Sequence, residues 1–522
     1  MNTIYVNGNI YTVDKSFSAA TVMVVKGNTL LYVGNNDTQA HRMAGASAKV
    51  VDLRGKTVVP GLIDGHMHLL PEGLQLFIVN AQKRSKQQIL QLLKEQAETL
   101  SPGEWIRGSG WNQMEWEDKS WPAKEDLDAV APCNPVMLYR ADLHSVWVNS
   151  KALEAAGITK DTPNPHGGEI LKTPDGDPTG ILVDSAREYV LNVIPPFSDS
   201  MMMKALLAVQ DECFSYGLTS VYDAGCSLDE LGLLKTAYKS RKFKLRVYQA
   251  LTTSDNSDTA YIKAGFLPEK GLFGERLSVC AAKIFADGSI GSRSAMFFED
   301  YADRPGHKGN MIHSDDELYE LVHRAGRNGF QISVHAIGDR AISQALDVYE
   351  RVGRELSLCD SRFRVEHFQI PAPSDILRAI KLGVVTTMQA SGAVTDMDMM
   401  KERIGDERLK TAYVWRELID GGGYIVGGSD ASYDSLNPFY GLYAGVASKN
   451  PMTREESLKS YTIWAAMGQF EEEIKGSLEE GKLADFTVLD RDIMTCDLAE
   501  IQKTQVLQTI LGGETVYELR IL

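Results

Sequence analysis

Long apolar runs, a basic excess and paired cysteines are all missing from this 522-residue chain, and each absence removes a class of protein. No stretch of eighteen or more apolar residues occurs, so no transmembrane helix is expected. The formal net charge is −16 and the pI about 5.2, which argues against nucleic acid or anionic membranes as partners. The start, Met1-Asn2-Thr3-Ile4-Tyr5-Val6-Asn7-Gly8, has no basic region followed by an apolar one. It reads as a strand and turn rather than a signal peptide. The six cysteines (Cys133, Cys213, Cys226, Cys280, Cys359, Cys496) are scattered without a Cys-x-x-Cys pair. A disulfide framework or a cysteine zinc site is therefore not expected, and a reducing cytoplasm fits.

What is present is ordinary in bulk: 43% hydrophobic and 24% charged residues, as in globular proteins. The length exceeds one simple core, so two or three domains are expected. Residues 1–59 read as short strands (Thr3–Val6, Ile10–Val13, Ala20–Lys26, Thr29–Val33, Lys49–Asp52) separated by Gly/Asn turns. Residues 472–522 look alike, with Asp485–Leu489, Val506–Leu511 and Thr515–Leu519 extended. Neither end buries a face alone, so together they are expected to form one small β-sandwich.

Between them, strand and helix patterns alternate. Candidate strands are Gly61–His68, Thr219–Ala224, Leu245–Leu251, Leu277–Ala286, Gln331–Ala336, Phe363–Phe368, Val384–Met388 and Tyr424–Ser429. Helical stretches such as Asp315–Asn328, Ala341–Leu356 and Pro373–Leu382 separate them. Eight β/α units in series over residues 60–471 predict a (β/α)8 TIM-like barrel of the α/β class. About 150 residues separate the first two strands, too many for one unit, so residues 70–200 are read as a subdomain inserted after the first strand.

Active sites of such barrels lie at the C-terminal ends of the strands. The first strand ends in His66-Met67-His68, whose i, i+2 spacing aims both imidazoles at one spot unless they are merely surface residues at a strand end. The fourth carries Lys283, the fifth ends in His335, the sixth in His367 and the eighth in Asp430. Of ten histidines in the chain, four fall at these places, which makes chance placement a poor explanation.

This constellation resembles the amidohydrolase superfamily of metal-dependent hydrolases. The phrases Lys283-Ile284-Phe285-Ala286-Asp287-Gly288-Ser289-Ile290-Gly291-Ser292-Arg293 and His335-Ala336-Ile337-Gly338-Asp339 resemble more narrowly the branch holding N-substituted formamide deformylases. The ending Gly476-Ser477-Leu478-Glu479-Glu480-Gly481-Lys482-Leu483-Ala484-Asp485-Phe486 is also similar to that superfamily, where it marks the return to the sandwich.

The resemblance implies a divalent metal cofactor, with zinc as the default and one or two ions per chain. His66, His68 and Asp430 would hold one, His335 and His367 the other, and a carbamylated Lys283 would bridge them. In the alternative, Lys283 pairs with Asp287 or Glu366 as an ordinary ammonium. Asp430 would also move the proton from water to the leaving nitrogen; its other reading is a helix N-cap. Asp142 and His144 resemble a segment near the substrate pocket, although His144 reads equally well as a packing residue. Asp287 and Arg293 either contact substrate and orient the site, or form a loop ion pair. Five of seven tryptophans, Trp111 among them, fall in the insertion, as its core or as an aromatic wall for a substrate. The activity implied is hydrolysis of carbon–nitrogen bonds other than peptide bonds, in a linear N-acyl or N-formyl amide. A cyclic amide hydrolase or deaminase is the alternative, and a non-catalytic scaffold the rival. The expected partner is a small-molecule amide, with homo-oligomerisation open and a cytoplasmic location.

Overall fold

The computed structural model describes residues 2–141, 144–165, 167–252, 260–263 and 265–520. By contacts the chain divides into two compact units, Met1–Pro71 with Leu206–Leu522, and Glu72–Ala205.

The first unit holds the expected barrel. Its parallel strands run in sequence order: β1 (Leu62–Met67), β2 (Leu218–Cys226), β3 (Arg246–Leu251), β4 (Leu277–Phe285), β5 (Gln331–Ala336), β6 (Arg364–His367), β7 (Val385–Met388) and β8 (Ile425–Gly427). Almost every residue of these strands is buried, as expected where a parallel sheet is covered on one face and filled on the other. The short strand Glu269–Gly271 adds to β4 antiparallel. Between β8 and β1 the ring is closed by backbone bonds, Asp430 N to His66 O (2.8 Å) and His68 N to Ala431 O (2.5 Å). Two glycines permit that approach. A Cβ on Gly65 would stand 2.7 Å from the Gly427 carbonyl oxygen, and one on Gly428 would stand 2.6 Å from His66 N.

Helices Asp315–Arg327, Asp339–Glu355 and Pro373–Lys381 fall where the apolar periodicity placed them. The first opens on a capping box, Ser314 with Glu317, and the third on a proline at its start.

Strands from both chain ends share one six-stranded sheet, because Phe486–Leu489 pairs antiparallel with Thr57–Pro60. The accompanying four-stranded sheet is Thr29–Gly34, Val22–Lys26, Thr3–Val6 and Lys49–Asp52. Tyr5, Ile10, Met23, Val58, Phe486 and Ile510 fill the space between them, with Tyr5 edge-on to Phe486. A buried ion pair, Arg246 Nε to Asp485 Oδ2 at 2.6 Å, joins the start of β3 to the returning strand, and Gly512 N donates to the other oxygen.

The second unit carries its own mixed sheet, in the order Gly168–Lys172, Pro178–Asp184, Ser145–Val148, Val136–Arg140, Ile106–Trp111, Val79–Asn80. Its core includes Trp111, Trp116, Trp147, Ile89, Leu93 and Leu138. Among the described residues, no helix is long and apolar enough to cross a membrane.

Candidate metal centre

At the C-terminal end of the barrel, the ends of β1 and β8 bring two imidazoles and a carboxylate together. One side-chain ligand atom from each of His66, His68 and Asp430 lies within 4.8 Å of the other two. Asp430 Oδ1 stands 3.4 Å from His66 Nε2 and 3.3 Å from His68 Nε2. Yet His66 Nε2 and Asp430 Oδ1 are buried without a hydrogen-bond partner among the described residues. Buried polar atoms are normally satisfied, so two orphans facing each other with a third ligand alongside fit a cation between them.

The backbone turns sharply to present these side chains. Asp430 has φ +59° and His367 has φ +76°, left-handed conformations that cost energy outside glycine and cluster at functional sites. The turn at His367 lets it join the site although its neighbour Glu366 already faces the barrel interior. Its ring lies 5.0 Å from that of His66 and 4.5 Å from that of His335. Each of these imidazoles has one nitrogen anchored. His66 Nδ1 meets Glu366 Oε2, His367 Nδ1 meets Gln389 Oε1 at 2.7 Å, and His335 Nε2 meets the Gly288 carbonyl at 3.2 Å. The other nitrogen of each remains for a metal, the usual division of labour for a ligating histidine.

Burial sets the protonation of the centre. It pushes His367 down to about 4, His335 well below its ordinary value, and His68 down as well, so these rings are neutral at neutral pH. Burial and Lys283 also press on His66, but Glu366 and Asp430 outweigh them and raise it. Burial opposes the Asp430 carboxylate, yet His66 and His68 hold it well below the usual range. Lys283 is buried at 2% exposure, and burial lowers its pKa against the opposing pull of Glu366 and Asp430. Asp64 ties the two closing strands together, accepting from His66 N (3.0 Å) and Ser429 N (3.1 Å).

The remaining residues named from sequence fall elsewhere. Asp287 is 1% exposed and accepts from Ile337 N, Gly338 N and Met296 N. It anchors the loops after β4 and β5 rather than offering a carboxylate to substrate. Arg293 forms a loop ion pair with Asp303 Oδ2 at 2.7 Å, in which Asp287 takes no part. Trp111 is wholly buried with its indole N–H on the Leu138 carbonyl, which removes it as an aromatic wall and makes it part of the second unit's core. His144, also in the second unit, is exposed with Nδ1 2.8 Å from Asp184 Oδ1. Asp142 lies outside the described residues.

Sequence reasoning named Glu366 only as a partner for Lys283 and passed over Arg364, Gln389 and Asp64. Glu366 instead spends its oxygens on His66, Arg364 and Ser333. The signal for the first pair was available, since Arg364 and Glu366 are i, i+2 on one strand and so share a face.

Known proteins resemble this chain over nearly its whole length. The model of the amidohydrolase family matches residues 49–517. The putative amidohydrolase YtcJ of Bacillus subtilis is 31% identical over 99% of this chain and all of its own length. The protein LONG AFTER FAR-RED 3 of Arabidopsis thaliana is 33% identical, covering 98% of this chain and 91% of its own. An N-substituted formamide deformylase of Arthrobacter pascens is 29% identical over 98% of both chains. Among solved structures, an uncharacterized metal-dependent hydrolase from Pyrococcus furiosus superposes with a TM-score of 0.81 at 27% identity, covering 95% of this chain and 100% of the other. The chain is a hydrolase of carbon–nitrogen bonds and belongs to the amidohydrolase family.

Proposed function

We propose that the chain hydrolyses a linear N-acyl or N-formyl amide of a small molecule with the help of one or two divalent metals, zinc by default. The observation that carries the reading is the pair of orphaned buried atoms, His66 Nε2 and Asp430 Oδ1, beside His68 at the barrel's C-terminal end. The deformylase relative, alike over nearly its whole length, supports the choice of bond.

His66, His68 and Asp430 would hold one metal, and His335 and His367 a second. Such a metal supplies a Lewis acid for the carbonyl oxygen and brings water's pKa down to about 7. Asp430, kept ionised by its two histidine neighbours, takes a proton from the attacking water. It then delivers that proton to the departing nitrogen, so the amine leaves neutral. His335 and His367 stay unprotonated at working pH because burial disfavours their charged forms, which keeps both available as ligands. Lys283 would carry the bridging carboxylate as a carbamate. Its amine must be neutral to add to carbon dioxide, and burial favours that form. The sequence holds no Cys-x-x-Cys pair, in keeping with a cytoplasmic setting.

The test pairs elemental analysis with a substrate panel of N-formyl amines, N-acyl amines and cyclic amides. Wild-type protein loaded with zinc and bicarbonate should turn over a linear member. Asp430→Asn should keep its circular dichroism and lose about 10²–10⁴-fold in kcat. Turnover confined to cyclic amides would overturn the substrate, and full activity in Asp430→Asn would overturn the mechanism.

A further inference from the structure

The three anchored imidazoles differ in what lies behind them. His367 rests on the neutral amide oxygen of Gln389 and His335 on a backbone carbonyl, whereas His66 rests on a carboxylate, Glu366 Oε2 at 2.5 Å. That carboxylate is wholly buried and fully committed. Its other oxygen accepts from Arg364 Nε (2.6 Å) and Ser333 Oγ (2.7 Å). Arg364 is wholly buried too. It donates to Thr387 Oγ1 (3.0 Å) and to the Gly65 carbonyl on β1 (2.8 Å), while its guanidinium lies over the Tyr222 ring. The arginine thus locks the glutamate to the strand that carries His66 and His68.

We propose that Glu366, held by Arg364, is a positioning residue for His66 and makes the His66/His68/Asp430 position the tighter of two metal positions, filled first, with the His335/His367 position weaker. A hydrogen bond to an anion is about twice as strong as a neutral one and raises the donor strength of the imidazole behind which it sits. Among the described residues only the first position has a carboxylate within hydrogen-bond distance of a ligand imidazole, since Asp287 Oδ1 stands 3.7 Å from His335 Nε2. The inference rests on the metal-hydrolase reading above.

The experiment is a zinc titration of apo-protein against a chromophoric chelator, with folding followed by circular dichroism. Wild-type protein should show two unequal classes of site. Glu366→Gln combined with Arg364→Met, which leaves no unpaired buried charge, should weaken the tight class about 10–100-fold and spare the weak one. Gln389→Leu should do the reverse. An unchanged tight class, equal loss in both, or two equivalent sites in wild type would overturn the inference and leave the hydrolase reading standing. A single equivalent supports it if the double variant weakens that site and overturns it otherwise. If the double variant does not fold, wild type and Gln389→Leu decide: two classes with only the weaker one affected support the inference, and any other pattern overturns it. Wild-type protein that binds no zinc would refute the metal-dependent reading itself.

Discussion

At the scale of single residues, the candidate metal histidines and Asp430 stand out in the sequence because each stands where an apolar strand stops. His66 and His68 follow from strand alternation alone. His367 does not, since alternation would turn it away from the face of Glu366; a left-handed φ of +76° brings it in, and no composition rule announces that. Asp287 is ambiguous in sequence for another reason. A carboxylate there reads as a substrate contact, an orienting group or half of an ion pair, and its partners Ile337 and Gly338 come from a loop about 50 residues on, which only the fold brings near. Replacing it separates the two roles. Asp287→Ala leaves three buried N–H groups without an acceptor, each costing roughly 1–3 kcal/mol, so urea unfolding should show a loss of about 3 kcal/mol or more. A variant of unchanged stability with a raised KM would return Asp287 to the substrate.

At the scale of elements, all eight barrel strands were legible within a residue or three of their ends, since a strand buried on both faces is a short apolar run between turn residues. The second unit's six-stranded sheet was not. Its strands are short and pair both parallel and antiparallel, an arrangement decided by packing rather than by local preference. The seam between β8 and β1 was also hidden, because glycine in a strand signals close approach without saying to what. That seam places half of the proposed centre. Gly428→Ala would put a methyl 2.6 Å from His66 N and 2.8 Å from His66 Cβ, so the strands must part. Such overpacking costs about 1–3 kcal/mol, and the larger consequence is a displaced His66. Elemental analysis of the folded variant should find bound zinc reduced relative to wild type, whereas an unchanged content would mean the seam yields elsewhere.

At the scale of the whole molecule, a chain of net charge −16 also buries carboxylates that form no ion pair among the described residues, and stability must respond to pH. Asp223 on β2 is the clearest case, 4% exposed and pushed up to about 7 by burial. Its ordinary value is 3.8, so between pH 4 and 7 the unfolded chain has released this proton while the folded chain retains it. The folded state binds more protons there, and the contribution to stability therefore falls as pH rises through that window. Three units at 1.36 kcal/mol each set the full effect at ~4 kcal/mol. The buried histidines work in the opposite direction, since burial keeps them from taking protons below their ordinary 6.5, so the total slope hides Asp223. A difference against Asp223→Asn isolates it, because the amide still accepts from Leu69 N and never ionises. In apo-protein unfolded by urea, the asparagine variant should gain on wild type steadily from pH 4 to 7. The gain should flatten above pH 7, where Asp223 is ionised in both states. A difference that stays constant over that range would mean the folded protein accommodates the Asp223 charge without cost, and the burial argument would fail for this residue.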